Sequence, residues 1–202
     1  MPRDPNSRLS LAARLASLMT IALAALFALA APADAQTAPP GSDRYTIDEI
    51  VQQGSNFFGN VSGGLASVVE HAASQYGLPN GYILGQQGGG AFFAGLRYGQ
   101  GTLYTKNAGK HPLFFQGPSL GWDFGGDGSR VMMLVYNLPS VSAIFGRFGG
   151  VNGSAFLVGG VGMTVLNRGS IYVVPIVSGV GARLGISMGY LKFTREQTWN
   201  PF

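Results

Sequence analysis

The chain has no cysteine, only two histidines, and a charged fraction of 11% over 202 residues. Without thiols there is no disulfide staple and no cysteine chemistry, so packing and hydrogen bonding must hold the fold. Two histidines with no neighbouring carboxylate pair also lack the donor set of a transition-metal site. His71 sits beside Glu70 and reads as part of a polar helix face, and His111 falls in the turn Asn107 to Pro112. Lys and Arg are scattered rather than clustered, whereas nucleic-acid binding needs a dense basic patch. These absences exclude most chemistry and leave shape and address as the informative content.

The address is N-terminal. Arg3, Arg8 and Arg14 lead into a small-and-apolar run from Leu15 to Ala31, and Ala33-Asp34-Ala35 supplies an A-x-A cleavage site. At 17 residues the run sits at the lower limit for a membrane anchor, and the A-x-A pattern favours removal. Cleavage after Ala35 predicts a mature chain of 167 residues starting at Gln36, with 10 basic and 7 acidic side chains, a charge of +3. That length supports one domain with a real core. The excess charge permits a weak attraction to anionic lipid or glycan surfaces.

Residues 36–45 open with QTAPPGSD, a flexible linker. The domain is then expected over 46–202, with helices in 46–77, strands in 81–194 and a tail at 195–202. Thr46 and Glu49 have the spacing of a capping box, which predicts a helix from Ile47 to about Phe58. Leu65, Val68, Val69, Ala72 and Tyr76 recur at helical spacing, and Gly77 with Pro79 ends that second helix.

Beyond Gly81 the period changes to two. Of 32 glycines, 27 fall between Gly77 and Gly189, interleaved with large apolar residues, which marks bent strands in a small barrel rather than disorder. Phe92, Ala94, Leu96 and Tyr98 predict one strand. A turn is expected at Gly99-Gln100-Gly101, with a return through Thr102 to Thr105. Val131 to Tyr136 is apolar on both faces, as in a strand covered on both sides beneath the helices. Pro139 to Phe145 predicts one helical turn, Asn167-Arg168-Gly169 a hairpin into Ile171 to Ile176, and Leu184 to Tyr190 the last long strand. The fold class expected is mainly β: a small antiparallel barrel of about eight strands preceded by two short amphipathic helices.

An integral eight-stranded outer-membrane barrel shares this alternation and is the alternative. Against it, Gly81 to Thr194 offers about 14 residues per strand with loops included, where spanning strands alone need roughly 9–11. Pro175 falls inside a strand, Pro201 breaks the terminal one, and two amphipathic helices have no role beside lipid.

Catalytic strings dissolve on inspection. Gly117-Pro118-Ser119-Leu120-Gly121 fits G-x-S-x-G literally but has a proline before the serine and no strand-to-helix elbow. Asp123-Phe124-Gly125 lacks every other kinase part, and Asp123 with Asp127 lacks the calcium-loop alternation. Gly88-Gly89-Gly90 has no following Lys-Ser/Thr, so it is not a phosphate cradle. No catalytic residue, metal or cofactor is therefore assigned, and a hydrolase of envelope polymers ranks last for want of paired carboxylates. Candidate surface contacts are Lys106, Lys110, Trp122 and Arg130.

Three strings carry a resemblance: Gly81 to Tyr104, Gly117 to Leu138 and Gly146 to Leu166. They resemble the alphaproteobacterial envelope integrity protein A family, formerly a domain of unknown function, over about Ser62 to Thr194. The resemblance implies a soluble periplasmic barrel of roughly eight strands that maintains the cell envelope, with a connection to lipopolysaccharide O-antigen. It supplies no catalytic residues. The order of helix, glycine-rich strand and hairpin is also loosely similar to SYLF lipid-binding domains, which implies that a barrel face binds phospholipid or glycolipid. The partners expected are envelope lipid, lipopolysaccharide or a periplasmic protein, and not nucleic acid.

Overall fold

In a computed structural model, residues 42–59, 62–88, 96–118, 129–178, 189–198 and 200 are described. The expected leader, Phe92 to Gly95, Ser119, Trp122, and Leu184 to Met188 lie outside them. Helix α1 (Ile47–Phe58) starts at the expected cap: Thr46 Oγ1 accepts from the Glu49 N–H at 3.2 Å, and Glu49 Oε2 accepts from the Thr46 N–H at 2.7 Å. Helix α2 (Ser62–Tyr76) buries Leu65, Val68, Val69 and Ala72 on one stripe. Gly54 of α1 faces α2, where an added Cβ would come 2.7 Å from Leu65 Cδ2. The absent side chain sets how closely the helices approach.

Ten strands follow: β1 (Gly81–Gly88), β2 (Leu96–Thr105), β3 (Gly109–Pro118), β4 (Ser129–Tyr136), β5 (Gly146–Gly150), β6 (Phe156–Val158), β7 (Val161–Met163), β8 (Leu166–Arg168), β9 (Ile171–Ser178) and β10 (Tyr190–Thr194). Their order is β4-β1-β2-β3-β10-β5-β8-β9, and the pairing of β4 with β9 closes eight antiparallel strands into a barrel. β7 continues the edge of β9 beyond β8, and β6 hangs from β7. Pro175, which has no N–H to give, sits in β9 opposite Met133, and its carbonyl accepts from the Thr164 N–H at 3.3 Å between β7 and β8.

The interior is filled with side chains. Ile83, Leu103, Phe115, Val131, Phe148 and Phe193 belong to one buried cluster, with Phe148 and Phe193 edge to face at 5.6 Å. The expected helical turn is present as a 3-10 turn, Val141–Ile144, which packs on this cluster at one end of the barrel. Arg168 fastens it by donating to the carbonyls of Phe145, at 2.7 Å, and Ala143. The strand expected to be covered on both faces is so. In β4, Val131, Met133 and Val135 join the interior, while Met132, Leu134 and Tyr136 join a second cluster with α1, α2 and β9.

Two expectations need correction. There is no turn at Gly99-Gln100-Gly101: β2 runs straight from Leu96 to Thr105, and the hairpin lies at Lys106–Ala108. His111 is accordingly in strand β3, opposite Leu103, rather than in a loop. The glycines are needed for space, not for turning. Gly99 pairs with Phe115, and an added Cβ there would overlap the edge of the Phe115 ring; at Gly85 it would meet the same ring at 3.1 Å. Phe115 is 1% exposed and lies on a floor of bare backbone. The closing strand is Tyr190–Thr194, bonded to β3 and β5.

Gly99→Ala should therefore destabilise the protein by about 1–3 kcal/mol through overpacking, more than the roughly 0.4–1 kcal/mol that Gly→Ala returns by restricting the unfolded chain. Urea unfolding would read this. Adding Phe115→Leu should recover part of the loss, so that the double variant is less damaged than the sum of the singles.

Candidate binding surface

The candidate cations do not act alike. Lys106, in the β2–β3 turn, donates to Glu49 Oε2 at 3.0 Å and lies 5.1 Å from the Tyr45 ring centre. The turn that presents it is held by Thr105, whose Oγ1 accepts from the Ala108 N–H at 3.1 Å. Arg130, at the start of β4, donates to the Phe57 carbonyl at 2.7 Å and lies over the Phe57 ring. One cation thus braces the first turn of α1 through its capping glutamate. The other meets an open carbonyl of its last turn, where the helix dipole favours positive charge. Lys110 is exposed and sits 5.4 Å from the Tyr104 ring centre. Trp122 lies outside the described residues.

Between Lys106 and Lys110 runs a stack of tyrosines. Tyr82 meets Tyr45 edge to face at 5.0 Å and stacks on Tyr104 at 4.9 Å, with the planes 7° apart. Burial, followed by the neighbouring Tyr45, Tyr104 and Glu49, pushes the Tyr82 hydroxyl up to about 12, so it stays neutral at any physiological pH. Burial tends to raise the Glu49 carboxyl, but the Thr46 N–H and Lys106 outweigh it and hold the group below its ordinary 4.5. The histidines are engaged locally: His71 stacks on Phe156 at 4.0 Å, and the His111 ring bonds the Ala108 carbonyl at 2.8 Å. Among the described residues no three His, Asp or Glu side chains come together.

A groove that the sequence did not single out runs along the outer face of β1, β2 and β3. One part, about 490 Å³, lies between Phe57, Leu84, Tyr104 and Pro112. A second, about 350 Å³, lies between Gln87, Tyr98, Gln116 and the tail residues Gln197 and Thr198. Gln86, Gln100 and Phe114 line both, so the two are continuous. Gln87 shares the inward side with Gly85 and Gly99 and is 4% exposed; among the described residues its Oε1 has no partner. The signal that could have revealed this groove is the polar outward set Gln86, Gln100 and Thr102, alternating with the inward Gly85, Gly99 and Gly101.

Comparison with known proteins adds a family and a neighbour. A family model described as envelope integrity protein A matches residues 43–202. A crystal structure described as a beta-barrel-like, uncharacterized protein from Brucella abortus is similar at 60% identity and a TM-score of 0.76, covering 80% of this chain and 100% of that one. No curated protein matches the chain.

Because the Glu49 carboxyl is lowered, its contribution is complete above the ordinary 4.5 and is lost as pH falls through the lowered native value. Glu49→Gln should cost about 1 kcal/mol at pH 7, the scale of one cap and one exposed ion pair. At a pH below the native value the variant and the parent should unfold alike, as thermal melts at the two pH values would show.

Proposed function

The chain belongs to the envelope integrity protein A family, and from that premise we propose that it is a non-enzymatic, exported periplasmic protein that supports the cell envelope by contact with envelope lipid, lipopolysaccharide or a protein partner. The observation that carries this reading is the filled interior. Phe115, Phe148 and Phe193, with the aliphatic residues around them, occupy the space that a ligand-carrying barrel leaves open, so recognition falls to the outer surface. Support for a non-enzymatic role comes from the histidines, both of which are used in ring stacking or loop closure. The basic leader and the Ala33-Asp34-Ala35 site support export.

The outer-membrane alternative fits the strands poorly. β5 has five residues and β8 three, against the roughly 9–11 that a tilted membrane strand needs. The outward side chains of β4 and β9 are covered by α1 and α2 rather than offered to lipid, and the exposed Gln86 and Gln100 lie mid-strand where a lipid belt would be apolar.

Osmotic-shock fractionation of the parent bacterium, followed by intact-mass measurement, tests the reading. The expected product is a soluble periplasmic chain beginning at Gln36. Recovery in the outer membrane with heat-modifiable gel mobility would replace this reading with the integral barrel. A deletion strain should also become sensitive to detergent, and a plasmid copy lacking residues 1–35 should fail to restore resistance.

A further inference from the structure

We propose that the groove on the outer face of β1–β3 is a binding site for an uncharged oligosaccharide. This rests on the reading of the protein as one that works by surface contact, and it names what that surface takes. The first ground is the lining. Of the chain's nine glutamines, five (Gln86, Gln87, Gln100, Gln116 and Gln197) line this one groove. Each primary amide offers two donors and an acceptor, the complement of vicinal hydroxyls. Tyr98, Tyr104 and Phe114 add ring faces, which suit the apolar C–H face of a pyranose. Amides and aromatic rings from three adjacent strands make a mixed surface rather than an apolar one.

The second ground is charge. No Asp, Glu, Lys or Arg is among the described residues lining either part of the groove. Three cations stand at the rim: Lys110 and Arg130 lie over the rings of the lining residues Tyr104 and Phe57, and Lys192, paired with Gln116, donates to the Asn200 carbonyl. An anionic headgroup would find no counter-charge along the floor, whereas a neutral chain of hydroxyls needs none.

Shape agrees. With glycine at 85, 99 and 101, the strand backbones lie bare beneath the groove, as where a ligand must approach closely. From Tyr98 to Tyr104 the strand rise gives a track roughly 20 Å long, room for several sugar rings. The tail residues Gln197 and Thr198 form one wall at the Gln116 end.

The test is a titration of the 15N-labelled mature protein with maltotetraose, chitotetraose and mannotetraose in turn, followed by backbone and side-chain amide shifts. At least one neutral probe should shift the side-chain amides of Gln86 and Gln100 with an affinity near the millimolar range. Gln86→Ala and Gln100→Ala, both at exposed positions, should each weaken that probe about five- to tenfold, roughly one lost hydrogen bond, and leave the melting temperature in place. Silence of the groove amides toward all three neutral probes overturns the proposal. So does a response confined to a sulfated tetrasaccharide or to vesicles of anionic phospholipid. Either result leaves the periplasmic contact role standing, because fractionation and the deletion phenotype judge that separately.

Discussion

The contact of Phe115 with the bare backbone of β1 and β2 is the constraint on which the rest depends. An eight-stranded barrel has just enough interior for side chains, and an aromatic ring must be matched by the absence of side chains opposite it. Gly99, paired with Phe115, and the Gly85–Gly101 pair provide that absence. With the ring lodged there, Phe193 sits 6.2 Å away and carries the aromatic contact on to Phe148, so strands from both ends of the sequence meet in one apolar column. The described core residues fill this part of the barrel with side chains.

The outer face is divided. On one side, the outward residues of β4 and β9 are sealed by α1 and α2 in a cluster separate from the interior. Such short helices are weak on their own and take their stability from the face they bury. α1 is also held at each end, by Lys106 through Glu49 and by Arg130 through the Phe57 carbonyl. Alongside, Tyr82 of β1 still joins that cluster, and beyond it the outward residues of β1–β3 become amides and aromatics. The two cations that look most available for a partner in the sequence are the ones that keep α1 from sliding across this open sector.

Local physics was legible in the sequence wherever cause and effect lie within a few residues. The Thr46–Glu49 box, the apolar stripe of α2, the two-faced Val131–Tyr136 strand and the turn near Val141 each declare themselves by spacing. The misreading at Gly99-Gln100-Gly101 has the opposite character. Glycine at alternate positions suits a turn and suits a close approach equally, and the residue that decides, Phe115, belongs to another strand. The same holds for the surface. Lys106 and Arg130 find partners 57 and 73 residues away, distances at which spacing carries no information. The groove is assembled from three strands and the tail, so no window of the chain contains it. Only the alternation of outward glutamine with inward glycine on β1 and β2 hinted at it.

The inner constraint and the outer groove are two consequences of one substitution pattern. Removing side chains from the inward positions of β1 and β2 makes room for Phe115, and it also thins the sheet there to a single layer of backbone. Gly99 and Phe115 consequently line the groove from below while belonging to the core from above. A strand with large residues on both faces, as in β4, cannot do this, because its outer side chains must be buried by something else, here the helices. Thinning the sheet therefore yields a surface that needs no cover and can present polar groups, backed directly by the apolar side chains of the core.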